Sequence, residues 1–140
     1  MELKLEAEIK RSKEICYNAF TDEKQLSQWF STNSKCDVRT GGYYCNDDKD
    51  EGVYLELKPY ERIRFTWDNK EHCPGTEVLI EFNSSDSDNT KIILTHLKLE
   101  NEFHIKEMTT GWTWALVSLK SYLENGKPVT YNEWLNSENK

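Results

Sequence analysis

The sequence has no apolar run that approaches the roughly 18 residues of a membrane-spanning helix, which excludes insertion by a helix. Its opening, Met1-Glu2-Leu3-Lys4-Leu5-Glu6, alternates in polarity and lacks the apolar stretch of a signal peptide, so a cytoplasmic location is expected. Positive charge is short: 18 Lys and Arg stand against 25 Asp and Glu, a net −7. Nucleic acid and anionic membranes attract basic faces, so neither is an expected partner. Metal-ligand spacing is missing too. Cys16, Cys36, Cys45 and Cys73 show no C-x-x-C, and of His72, His96 and His104 only His72 adjoins a cysteine. Neighbours on a strand point to opposite faces, so no metal and no other cofactor is expected. Gly41-Gly42 lacks the rest of a phosphate loop and leads into a strand, so it reads as a turn. No G-x-S-x-G elbow and no recognisable cysteine–histidine nucleophile pair is present.

What is there points to a folded chain. A length of 140 residues fits one domain over 1–140 that ends in a tail, 127–140. Such a chain buries roughly two-thirds of its unfolded surface. Hydrophobic residues make up only 36%, while aromatics reach 12%. A disordered acidic chain would be poor in aromatics. A few bulky groups therefore carry much of the core under a charged surface.

Leu3, Leu5, Ala7 and Ile9 alternate with polar residues as in a half-buried strand. Ser12 can cap a short helix over Lys13–Phe20, and Thr21-Asp22 a second one carrying Leu26, Trp29 and Phe30. A hairpin of Lys35–Arg39 and Tyr43–Asn46 spans the two glycines. Its turn length decides whether Cys36 and Cys45 share a face; buried free thiols are the default. The acidic stretch from Asp47 to Gly52 reads as a solvated loop. Val53, Leu55 and Leu57 form the next apolar row, followed by Ile63, Phe65 and Trp67. A loop over Asp68–Gly75 leads to Val78, Ile80 and Phe82. After a polar turn, Thr90, Ile92, Leu94 and His96 line one strand face. Met108, Trp112, Ala115, Leu116, Leu119, Tyr122 and Leu123 then recur at helical steps, stopped by Asn125-Gly126 and Pro128. Helices segregated from a run of antiparallel strands make an α+β domain. A curved antiparallel sheet would wrap the long C-terminal helix and leave a space between them.

The pieces Phe20-Thr21-Asp22, Trp29-Phe30 and Asp37-Val38-Arg39-Thr40-Gly41-Gly42-Tyr43 stand in order with several later ones. These are Leu57-Lys58-Pro59, Phe65-Thr66-Trp67, Leu94-Thr95-His96 and Gly111-Trp112. The ordered set resembles the activator of heat-shock-protein-90 ATPase-like branch of the START-like (SRPBCC) superfamily across nearly the whole chain. The resemblance implies a helix-grip fold with a ligand cavity, and a link to chaperones and the stress response. In the eukaryotic co-chaperone a separate N-terminal domain helps to grip the chaperone. This sequence opens on its first strand, so the domain alone is expected. The family's bulky apolar pair in the first helix is Cys16-Tyr17 here, which would alter one cavity wall.

The expected cavity lining is Trp29, Phe30, Asp37, Arg39, Phe65, Trp67, His96, Met108, Trp112 and Leu116. The aromatics among them serve as ligand wall or as core, two roles that merge in such a fold. Asp37 and Arg39 lie two apart on one strand face. They either hold a carboxylate or phosphate at the cavity mouth or form a structural ion pair, and the low weight of exposed pairs favours the latter. His96 is the one catalytic candidate, as an acid–base group with Asp37 or a tyrosine; the plainer reading is a hydrogen-bonded, half-buried histidine. The leading expectation is a non-enzymatic module that holds a small hydrophobic, amphipathic or lipid-like molecule. The alternatives are a domain that acts on a chaperone or client protein, and a cyclase- or dehydratase-like enzyme using His96.

Overall fold

The first strand, β1 (Leu3–Ile9), alternates as its sequence does: Leu3 and Ile9 are buried while Lys4, Glu6 and Glu8 are exposed. Ser12 then starts α1 (Lys13–Thr21), its hydroxyl accepting from the Ile15 amide at 3.2 Å. Asp22 does the same for α2 (Glu23–Trp29), accepting from Lys24 at 2.9 Å. The chain continues through β2 (Lys35–Cys36), β3 (Tyr43–Cys45), β4 (Glu51–Lys58), β5 (Arg62–Asn69), β6 (Cys73–Asp86) and β7 (Asn89–Leu97). Two helices follow, α3 (Glu102–Asn125) and α4 (Tyr131–Glu138). Asn101 caps α3, and Gly126 ends it in the left-handed conformation at φ 75°. The structure, a computed structural model, describes residues 1–69 and 73–138.

The strands form one antiparallel sheet in the order β1-β7-β6-β5-β4-β3-β2. Its inner face carries Ile63, Val78, Ile80, Phe82, Ile92 and Leu94, each at most 3% exposed. Against that face α3 lays Trp112, Ala115, Leu116 and Leu119, while α1 and α2 add Cys16, Ala19, Phe20 and Trp29. Each large apolar side chain in this cluster contributes about 1.5–3 kcal/mol by leaving water. This is the expected α+β, helix-grip architecture. Among the described residues no helix is long and apolar enough to cross a membrane.

At the β1 margin, α3 reaches over to the strand's main chain. Lys120 Nζ donates to the Glu8 carbonyl at 2.6 Å, and Glu124 Oε2 accepts from the Lys10 amide at 2.9 Å.

Several local readings need correction. The hairpin expected over Lys35–Asn46 keeps only two paired positions, Lys35 with Cys45 and Cys36 with Tyr44. Residues 37–42 instead fold into a turn so tight that a Cβ on Gly42 would stand 1.9 Å from the Asp37 carbonyl oxygen. This register puts Cys36 and Cys45 on opposite faces of the sheet, and both are free. In β4 the expected row of Val53, Leu55 and Leu57 is broken by a bulge between Tyr54 and Glu56. Tyr54 turns into the core and Leu55 out to solvent, at 5% and 40% exposure. Of the loop expected over Asp68–Gly75, Asp68 and Asn69 belong to β5 and Cys73 to Gly75 belong to β6, while 70–72 lie outside the described residues. The tail, expected to dock at least in part, contains the helix α4.

Candidate functional site

The end of α2 delivers Phe30 into the space between sheet and α3. Its ring lies parallel to those of Trp112 and Trp114, at 7° and 20°, with centroids 5.7 Å and 6.3 Å away. From β5, Trp67 meets Trp112 at 5.0 Å. Phe30, Trp67 and Trp112 together form a partition. Inside it is a cavity of ≈ 50 Å³ with Phe20, Trp29, Tyr54 and Phe65 among its walls. That is room for one or two waters at about 30 Å³ each. Outside it is a cleft of ≈ 610 Å³. The space expected between sheet and helix is thus largely filled by aromatic rings, each large enough to bury about 150–250 Å². The open volume lies at the mouth instead.

Five segments build the cleft. The acidic stretch read as a solvated loop is one of its walls. Asn46 Oδ1 accepts from the amides of Asp48 and Asp50 at 3.0 Å and 3.3 Å, folding the loop back on itself. Asn69 Nδ2 donates to Asp50 Oδ1 at 2.8 Å and to the Asp48 carbonyl at 3.0 Å, so Asp50 is only 5% exposed. Asp47 Oδ2 accepts from Thr32 and Asn33, both at 2.8 Å, which ties the loop to the end of α2. From α3 come Glu107, Met108, Gly111 and Trp114, and from α4 comes Tyr131. A Cβ at Gly111 would meet nothing within 4 Å, so the missing side chain is open cleft space. Around the rim, among the described residues, Asp47, Asp48, Asp50 and Glu107 stand with Lys49.

Of the residues named from the sequence, Trp29, Phe30, Phe65, Trp67 and Trp112 line the inner cavity, and Met108 lines the cleft. Leu116 does not; it is buried behind an outer groove formed with Leu5 and Ala7 of β1. Asp37 and Arg39 line neither space. They pair at 2.7 Å in the open, with side chains 52% and 74% exposed, and brace the turn before Gly42. Cys16 and Tyr17 do not alter a cavity wall either, because α1 turns them toward Thr90 and Phe82.

His96 also lies outside both linings. It is fully buried, and both ring nitrogens are engaged. Trp112 Nε1–H donates to Nδ1 at 3.0 Å. Nε2 lies 2.7 Å from Thr76 Oγ1, whose own proton goes to the Trp67 carbonyl at 2.9 Å. One proton arrangement satisfies every group: neutral His96 carries its hydrogen on Nε2 and donates it to Thr76. Burial pushes the ring down to about 4, consistent with that neutral form. His96 therefore pins α3 to β5, β6 and β7 and has no nitrogen left for a substrate. No group of three His, Cys, Asp or Glu side chains converges as metal ligands would among the described residues; His72 lies outside them.

Trp114 and Tyr131 were not among the expected site residues. Trp114 sits off the apolar stripe of α3, two positions beyond Trp112. Tyr131 had a legible signal in Thr130-x-x-Glu133, a capping box that starts α4. Trp114 Nε1 donates to the Val129 carbonyl at 2.8 Å, and its ring meets Tyr131 edge-on at 5.8 Å.

Residues 10–124 match the profile of the family described as Activator of Hsp90 ATPase homolog 1-like protein. A comparison with curated proteins finds no match. Among solved structures, the fold is similar to CalU16 from Micromonospora echinospora, with a TM-score of 0.81 at 23% identity over 99% of this chain and 82% of that one. It is similar to an HSP90 activator from Plasmodium falciparum, with a TM-score of 0.74 at 22% identity over 91% of this chain and 98% of that one. It is also similar to Aha1 from Colwellia psychrerythraea, solved as a dimer, with a TM-score of 0.79 at 23% identity and the same two coverages, 91% and 98%.

Proposed function

Because the chain belongs to the Activator of Hsp90 ATPase homolog 1-like family of the START-like (SRPBCC) superfamily, we propose that it binds a small hydrophobic or amphipathic, ring-bearing molecule in the outer cleft. The observation that carries this reading is the cleft itself: ≈ 610 Å³ walled by Phe30, Trp67, Trp112, Trp114 and Tyr131. Small-molecule sites run to about 300–1,000 Å³ and favour aromatic walls with a few polar groups. The described rim residues are mostly acidic and the ring faces welcome a cation, so a neutral or cationic ligand fits best. Gly111 supports the reading. A glycine inside a helix costs about 1 kcal/mol relative to alanine, and here its one visible effect is to widen the cleft.

Native mass spectrometry after gentle purification tests this. The wild type should carry a stoichiometric neutral or cationic passenger, and Gly111→Leu, which fills the cleft, should emerge without it. A wild type that carries nothing, and whose tryptophan fluorescence ignores naphthalene-sized compounds, would overturn the reading. A second reading is action on a chaperone in the cytoplasmic stress response, favoured by the family description and by the relative described as an HSP90 activator. It predicts faster ATP hydrolysis by Hsp90 as the chain is titrated in, and a flat response counts against it. Acid–base catalysis through His96 is disfavoured, since both its nitrogens are occupied.

A further inference from the structure

The cleft is open to solvent at its mouth, where Tyr131 is exposed. Small-molecule sites bury about 70–90% of the surface of what they hold. Benzene fills an apolar cavity of about 150 Å³. An open cleft of ≈ 610 Å³ does not enclose a molecule of one or two rings unless something closes over it. The helix beside the mouth has apolar surface still to bury. In α4, Tyr131, Trp134 and Leu135 fall at steps of three and four, on one face. Trp134 and Leu135 are half-buried, and no residue of α4 is fully buried. Trp134 meets Tyr131 at 5.9 Å and does not itself line the cleft.

The chain holds this helix at one end. Ser121 Oγ donates to the Lys127 carbonyl at 2.6 Å, Trp114 Nε1 to the Val129 carbonyl at 2.8 Å, and the Val129 amide to Ser118 Oγ at 3.4 Å. These bonds tie residues 127–129 to α3. Beyond Val129, no hydrogen bond or ion pair among the described residues joins α4 to another element. The Thr130 amide donates to Glu133 Oε1 at 3.2 Å and the Glu133 amide to Thr130 Oγ1 at 3.1 Å, so the helix carries its own cap with it. Its ring contact with the body is Tyr131 edge-on to Trp114 at 5.8 Å, a weak tether. A helix of eight residues is marginal alone, so what it leans on decides where it lies.

We propose that α4 is a lid: turning about Thr130, it carries Trp134 across the mouth of the cleft and lays that ring on the bound molecule. The inference rests on the cleft being a ligand site and adds a contact residue that the open cleft does not contain. At 1.5 Å per residue α4 is about 12 Å long, enough to cross the mouth of a site sized for one small molecule. Closure buries the apolar face of α4 against the ligand, and that burial holds the lid shut.

The probe is 2-acetylnaphthalene, a neutral two-ring compound, and the protein is the full chain. Binding is followed by tryptophan fluorescence, in titrations and by stopped flow. Trp134→Ala should speed dissociation about tenfold, the worth of roughly 50 Å² of apolar surface no longer removed from water, and leave association unchanged. Trp134→Phe keeps a ring on the lid and should restore most of the slow dissociation. In the wild type, saturation with the probe should slow amide hydrogen exchange over Trp134–Glu138 about tenfold and leave the last turns of α3 as they are. This readout needs no variant. A probe that binds while exchange in α4 stays the same overturns the lid and leaves the cleft a ligand site. So does a Trp134→Ala protein that releases the probe at the wild-type rate. If the probe does not bind at all, the ligand-site reading falls and this inference with it.

Discussion

At His96 the imidazole is fully enclosed, and burial holds it near 4 against an ordinary 6.5. Between those two values the unfolded chain binds a proton that the folded chain refuses. Stability is therefore whole above about pH 6.5 and falls as the pH drops toward 4, by about 3 kcal/mol for a shift of this size. Thermal unfolding of the wild type should show this loss between pH 6.5 and 4.5. His96→Asn should be less stable at neutral pH and nearly flat over that window. A variant that keeps the slope would show that other groups carry it. The strand alternation was enough to place His96 on the inner face. It could not show that Trp112 and Thr76 take both nitrogens, since those contacts join residues 16 and 20 positions away. For Asp37 and Arg39 the pairing itself was legible at i and i+2. The collapsed turn that leaves the pair in solvent was not.

Among the elements, glycines carry opposite expectations. At Gly52, in β4, a Cβ would stand 2.1 Å from the Thr66 carbonyl oxygen on β5. The clash is with backbone, so Gly52→Ala should destabilise by about 3 kcal/mol, at the upper end of overpacking costs. At Gly111, in α3, the added methyl meets nothing within 4 Å. Gly111→Ala should stabilise by about 0.5–1 kcal/mol through helix propensity. Chemical denaturation of both variants checks the pair, and the same sign of change in each would refute the account. Element boundaries were readable wherever a cap announced them, as at Ser12, Asp22 and Gly126. The bulge beside Tyr54 had no such marker. Val53, Leu55 and Leu57 obey perfect alternation, yet pairing of Tyr54 with Phe65 and Leu57 with Ile63 overrides it.

For the molecule as a whole, a low apolar fraction combined with many aromatics was compatible with a hollow core. The rings fill most of that hollow and leave the usable space outside. The cleft joins residues 30, 47–50, 67–69, 107–114 and 131, and no local pattern announces that convergence. The inner wall was more legible because its members sit on regular apolar faces. The contribution of α4 can be isolated, since none of its residues is buried. A chain stopped at Thr130 should unfold cooperatively with a midpoint within a few degrees of the full chain. It should nevertheless bind naphthalene-sized compounds several-fold more weakly, having lost Tyr131. Calorimetry together with the same fluorescence titration decides this, and undiminished affinity would remove α4 from the site.

An open sheet offers two rims on which a second chain could add a strand, the first step toward fibrous aggregates. Here both rims are spoiled. β2, at one rim, is two residues long and offers little template. At the other, the ammonium of Lys120 occupies the Glu8 carbonyl and the carboxylate of Glu124 occupies the Lys10 amide. Two residues of α3 thus act as guards against self-assembly as well as packing partners. Replacing both by alanine should leave the core intact and raise light scattering on concentration. The long helix would then be seen to keep the sheet solitary as well as folded.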